Sequence, residues 1–197
     1  MMKLAKLFIL LCVAGAAMAQ KKFDEYAADG DAYQIQITID RDSYYLWINS
    51  YSMDDAIAKC GFLVSREKHE AFLQSLEKAK QKFIEWSRVA KENSVEDGVS
   101  KEMDIVVNSE AFFMYGSKWC FDLRVKMKFK FMITKGLHSL VVFSDELVST
   151  RNEFMKSDGV AIFFSSPEEI DSFMKKISIE KVNEYVLKPK AEDLFKN

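Results

Sequence analysis

The sequence is short of the residues from which most catalytic and cofactor sites are built. Its 197 residues include two histidines, three cysteines and seven glycines. Neither His69 nor His138 has a second histidine or a cysteine at metal-ligand spacing, so no zinc centre is written locally. A G-x-S-x-G elbow, an H-E-x-x-H helix and a glycine-rich phosphate loop are all missing. So few glycines also leave little of the tight backbone geometry that cofactor loops use. No metal or cofactor is expected. An excess of one charge is missing too: 28 Lys and Arg stand against 30 Asp and Glu, a net of −2. That removes any global argument for a nucleic-acid or membrane-surface partner.

The amino terminus reads as an export signal. Lys3 and Lys6 give a basic start, Leu7 to Val13 an apolar centre, and Ala17-Met18-Ala19 a small-x-small end before Gln20. The apolar stretch is too short to span a bilayer as a helix. Cleavage after Ala19 is expected, giving a periplasmic or extracellular protein with no transmembrane segment. Acylation at Cys12 fits less well, because bulky Leu11 sits where a lipobox needs a small residue. Loss of Lys3 and Lys6 takes the net charge from −2 to −4. What remains suffices for one sizeable core and is short for two. With 49% apolar residues and sixteen Phe it is not a disordered composition. One domain is expected over residues 31–188, with 20–30 as a polar tether and 189–197 as a tail.

The strongest pattern is the alternation from Lys118 to Thr134. Trp119, Phe121, Leu123, Val125, Met127, Phe129, Phe131 and Ile133 hold the odd positions, and Lys118, Asp122, Arg124, Lys126, Lys128 and Lys130 most of the even ones. A period of two is a strand with one apolar face and one cationic face. At about 3.3 Å per residue it would run roughly 50 Å unbent, so a bulge or bend along it is expected. Gly116-Ser117 and Lys135-Gly136 are two-residue turns at its ends, and the second register sets Lys128 opposite Phe143 and Lys126 opposite Asp145.

Around this spine the chain alternates strands and helices. Tyr33, Ile35, Ile37 and Ile39 form a half-buried strand, and Tyr44 to Tyr51 returns with apolar groups on both faces. Gly61 to Val64 feeds a helix from an N-cap at Ser65 to about Asn93, with a stripe of Phe72, Leu76, Ala79, Phe83, Trp86 and Ala90. Met103 to Tyr115 is a strand with a polar interruption at Asn108-Ser109-Glu110. Val160 to Phe164 reads as an interior strand. Ser166-Pro167-Glu168-Glu169 opens a second helix with Ile170, Phe173, Met174 and Ile177 on its buried side, and Glu180 to Leu187 makes a third. The passages at Ser65 and Ser166 superpose on their caps. That superposition raises a weak internal duplication, against which stands the generic chemistry of any helix start.

Motifs for catalysis are thin. Ser65-Arg66-Glu67-Lys68 matches S-x-x-K, but the companion motifs of that chemistry are missing and an ordinary cap accounts for the same residues. Asp54-Asp55 and Glu168-Glu169 read as a turn and a helix start. Cys60 and Cys120 either form a disulfide or are two small buried hydrophobes. The expected fold is α+β, an antiparallel sheet with the long helix and the carboxy-terminal helices mainly on one face. The expected function is an exported, non-enzymatic binding module. Its binding residues are Arg124, Lys126, Lys128, Lys130 and Phe143 on the basic sheet face, and its partner an unknown protein or an anionic envelope component. The alternative is a cell-envelope hydrolase with a site assembled from distant residues.

Overall fold

A computed structural model of the chain describes residues 20–40 and 43–187. The expected export signal and its cleavage site, Cys12, the centre of the turn after Asp40 and the carboxy-terminal tail fall outside the described residues.

The fold is a large antiparallel sheet with a few helices, an α+β architecture. Four strands come first: β1 (Lys21–Ala28), β2 (Asp31–Asp40), β3 (Ser43–Asn49), continued after Ser50 by the short β4 (Tyr51–Ser52), and β5 (Cys60–Ser65). Helix α1 (Arg66–Glu92) follows directly. Then come β6 (Val99–Tyr115), β7 (Lys118–Thr134), β8 (Leu137–Phe143), the small hairpin β9 (Leu147–Val148) and β10 (Lys156–Ser157), and β11 (Val160–Phe164). Helices α2 (Pro167–Lys176) and α3 (Ile179–Leu187) close the described chain. The main sheet runs β1-β2-β3-β5-β6-β7-β8-β11-β4. Because β4 is the continuation of β3, its pairing of Tyr51 with Ala161 and Ser52 with Val160 brings the last strand back to the third. The sheet is therefore closed at that end into a ring of β3/β4, β5, β6, β7, β8 and β11.

One expectation fails at the start of the chain. Residues 21–28, taken for part of a tether, form β1, paired with β2 from Lys21↔Ile37 to Ala28↔Asp31. Tyr26 is the reason the segment is ordered. Its ring is buried against Tyr33 and Phe173, and its hydroxyl donates to the Asn49 carbonyl at 2.6 Å. Polar alternation concealed one anchoring aromatic.

The long hairpin β6–β7 carries two irregularities. Between Glu102↔Lys130 and Val106↔Lys128, β6 has two extra residues. Between Ser109↔Val125 and Ala111↔Asp122, β7 has one extra, falling at Leu123 and Arg124 opposite Glu110. A single inserted residue changes the phase of the alternation. Val125, Met127, Phe129, Phe131 and Ile133 face the core as expected, but on the near side of the shift the buried residue is Cys120. Trp119 and Phe121 point to the opposite face, so the odd positions are not one continuous apolar surface.

The core lies between the inner sheet face and the helices. Phe72, Leu76, Ala79, Phe83 and Ala90 of α1 and Ile170 and Phe173 of α2 share one cluster with Ile35, Leu46, Phe62, Met127, Phe129 and Phe164. The caps differ. Ser166 accepts from the Glu169 amide at 3.2 Å, and the Glu169 carboxylate reaches back to the Ser165 amide at 2.8 Å. Ser65 occupies the N-cap position without a side-chain capping bond, since the chain enters α1 straight from a buried strand. His69, one turn into α1, is fully buried, with Nδ1 2.8 Å from the Tyr44 hydroxyl.

Gly61 is where β5 passes closest to its neighbours. A Cβ there would lie 2.1 Å from the Ile48 carbonyl oxygen and 2.8 Å from the Phe112 ring, so Gly61→Ala forces backbone apart. The variant should lose ~1–3 kcal/mol of stability, read from urea unfolding midpoints; an unchanged midpoint would show that the strands yield freely. A second expectation concerns pH. Burial holds the His69 imidazole below the ordinary histidine value of 6.5, against the raising effects of the Ile177 carbonyl and Glu180; burial and the Lys91 charge do the same to His138. The unfolded chain therefore takes up these protons first. Stability should be full above about pH 6.5 and decline as pH falls below it. Melting temperatures measured across that window should slope less in His69→Gln, and least when His138 is also replaced.

Candidate functional site

The outer sheet face carries two aromatic clusters with cations between them. The first is built on Trp47, Leu63 and Phe112, with Tyr45 and Phe121 against it. Trp119 joins it edge-on, its ring centroid 6.3 Å from that of Trp47 and 5.8 Å from that of Phe112. Trp47 is fixed in turn by its indole N–H, which donates to Thr38 Oγ1 at 2.8 Å. Trp119 keeps 40% of its surface open. The second cluster comprises Val141, Phe143 and Ala161, with Met132 and Phe163 packed on it. Arg124, Lys126, Lys128 and Lys130 project from β7 between the two.

These four cations are not equivalent. Lys128 lies 2.8 Å from the Asp145 carboxylate, whose hydrogen bond holds the Lys128 ammonium above its ordinary pKa. Lys130 sits over the Phe143 ring at 4.8 Å to the centroid, and Lys128 over the same ring at 5.8 Å. On its other side Lys130 is in register with Glu102. Phe143 is only 7% exposed under the two lysines, so it serves as their floor rather than as an open contact. The expected pairing Lys128↔Phe143 is present. Asp145, however, engages Lys128 rather than Lys126, because β8 ends at Phe143 and the chain turns there. Among the described residues neither Arg124 nor Lys126 has an ion-pair partner, and both are exposed.

Beside those two cations the sheet edge has a hollow of about 140 Å³, lined by Asp122, Arg124, Lys126, Ser144, Asp145 and Glu146 together with Val125 and Leu147. The bulge creates it. Asp122 Oδ1 accepts from the Arg124 amide at 2.9 Å and its Oδ2 from the Val148 amide at 3.0 Å, holding β9 alongside β7. Two cations and several acceptors thus share the lining of an open depression.

Among the described residues the motifs considered for other chemistry do not assemble into a site. Lys68, the lysine of S-x-x-K, pairs with Glu110 at 2.7 Å, and Ser65 is buried. Asp54 accepts from the Ala56 amide at 2.9 Å in a turn. Among the described residues, no group of three or more His, Cys, Asp or Glu is placed to hold a metal ion, and no helix is long and apolar enough to cross a membrane. Cys60 and Cys120 are free, buried thiols, the second of the two alternatives left open by the sequence. Both are paired in register with Phe113, Cys60 from β5 and Cys120 from β7. An entire strand therefore separates them, placing their Cα atoms roughly 10 Å apart, beyond bridging distance.

The Trp119 and Phe121 cluster escaped the sequence pattern. The signal for it was Cys120, an apolar residue at an even position in a run whose even positions are otherwise polar up to Lys130. No family model matches the chain, and comparison with curated proteins and with solved structures gave no match either.

Burial also pushes the Cys60 thiol up to about 11, so little nucleophilic thiolate forms near neutral pH. Iodoacetamide should leave Cys60 and Cys120 unmodified in the native protein and label both in denaturant without reductant. Mass spectrometry of the peptides checks this, and a Cys60–Cys120 crosslinked peptide would contradict it.

Proposed function

We propose that the protein is an exported, non-enzymatic binding module that meets an anionic or protein partner through the outer face of β7. The observation that carries the reading is the pair Arg124 and Lys126, exposed and without an ion-pair partner among the described residues, on the same strand face as the partly open Trp119. Lys128 and Lys130 serve this face differently, as spacers set by Asp145 and Phe143. Cations without an internal ion pair are available to acidic groups, and the Trp119 ring, already held by Trp47 and Phe112, adds contact area at small ordering cost. Export rests on the basic, apolar and small-residue order of the first nineteen residues. The match of the strand-to-helix passages at Ser65 and Ser166 is read first as the generic chemistry of a helix start, with a weak internal duplication as the alternative.

The hydrolase alternative draws no support from the placement of Ser65, Lys68, His69 or His138. The binding reading is tested by capture from an envelope fraction with the signal-cleaved protein as bait. Arg124→Glu with Lys126→Glu should weaken salt-sensitive capture by at least ~10-fold while leaving the melting temperature nearly unchanged. Capture that survives the double reversal at low salt would reject this face as the contact.

A further inference from the structure

We propose, building on the reading above, that the strip from Trp119 to Lys126 binds an acidic glycan whose carboxylates are sparse among its hydroxyls. Three features select this class. Trp119 is held edge-on by Trp47 and Phe112 with much of its surface open, a rigid apolar plate suited to the C–H face of a sugar ring. Arg124 and Lys126 supply cations for carboxylates farther along the same strand. Beside these cations stand Asp122, Ser144, Asp145 and Glu146; their oxygens already accept from the Arg124, Val148 and Val160 amides and from Lys128 and Lys156, and keep further lone pairs for sugar hydroxyls. Asp122, which has no ion-pair partner among the described residues, and the net charge of −4 left after signal removal oppose a chain bearing one phosphate per unit. A nucleic acid is therefore disfavoured on the face that a sparsely charged sugar fits. The ligand is a polymer and not an engulfed small molecule. The hollow is small and open, whereas the strip extends roughly 20 Å along β7, about the length of several sugar rings.

The test is affinity electrophoresis and tryptophan fluorescence with hyaluronan oligosaccharides, which carry one carboxylate per disaccharide. Neutral dextran, heparin and oligo(dT) are the comparison ligands. Hyaluronan should bind at least ~10-fold more tightly than dextran or oligo(dT), each factor of ten being about 1.4 kcal/mol. Trp119→Ala should lose at least ~10-fold for hyaluronan, with Trp119→Phe retaining most binding and confirming that the sheet is intact. Arg124→Gln with Lys126→Gln should erase the preference for hyaluronan over dextran. Absence of hyaluronan binding, equal or tighter binding of heparin or oligo(dT), or full binding by Trp119→Ala would each overturn the inference. If hyaluronan fails while the double charge reversal still abolishes envelope capture, the glycan assignment falls and the binding face stands. If capture also ignores the reversal, both fall.

Discussion

The single extra residue at Leu123–Arg124 governs which groups of β7 meet the core and which meet solvent. Without it, β7 cannot satisfy β6 at both ends, because Ser109, Ala111 and Phe113 keep their phase throughout while their partners pass from Val125 to Asp122 and Cys120. The shift sends Cys120 inward beside Phe113 and turns Trp119 and Phe121 out toward Phe112 and Trp47. Insertion of a residue leaves backbone amides without ladder partners, and unpaired donors at a sheet are costly. Asp122 meets that cost locally by accepting from the Arg124 and Val148 amides. The same carboxylate thus stabilises the irregularity and fixes β9 next to it, and the hollow beside Arg124 and Lys126 is the space that results.

Ring closure constrains the opposite side of the molecule. The chain leaves β3, bends at Ser50 and pairs as β4 with β11, so the third and last strands are neighbours although more than a hundred residues separate them. The bend is held from both sides. The Ser50 amide donates to the Cys60 carbonyl at 3.0 Å, and the Ser50 hydroxyl donates to the Ile48 carbonyl at 3.0 Å. The close approach of β5 at Gly61 belongs to the same crossing. With the strands curled in this way, α1 and α2 bury Phe72, Leu76 and Phe173 against the inner face, and the outer face is left to Trp119, the cations of β7 and Phe143.

Much of this was legible from residue order. Strict alternation from Val125 to Ile133 located the central strand and its buried side, and the 3.6-residue stripes of Phe72 to Ala90 and Ile170 to Ile177 located the helices. The two-residue turn at Lys135-Gly136 fixed the Lys128↔Phe143 pairing, and both of its residues have positive φ. The failures share a physical origin. A bulge is a property of two strands together, so one strand's pattern announced that an irregularity was needed without placing it. Tyr26 orders β1 through partners on β2, β3 and α2, which lie at separations no local pattern encodes. Likewise, Cys60 and Cys120 sit on strands that are both next to β6, which is proximity in the sheet without contact. The cationic row was visible as composition, but its division into paired Lys128, stacked Lys130 and open Arg124 and Lys126 depended on where β8 ends.

The other irregularity of the hairpin has a consequence for colloidal behaviour. β5 pairs with β6 only from Cys60↔Phe113 to Leu63↔Glu110, so among the described strands the first part of β6 is laddered on one side alone. A long open strand margin is a template on which another chain can grow. Here the two extra residues between Glu102 and Val106 interrupt the regular succession of donors and acceptors along that margin, and charged Lys101, Glu102 and Asp104 populate it. An incoming strand finds no uninterrupted run to zip onto. The insertion thus protects the longest hairpin of the molecule against polymerising through its own exposed border.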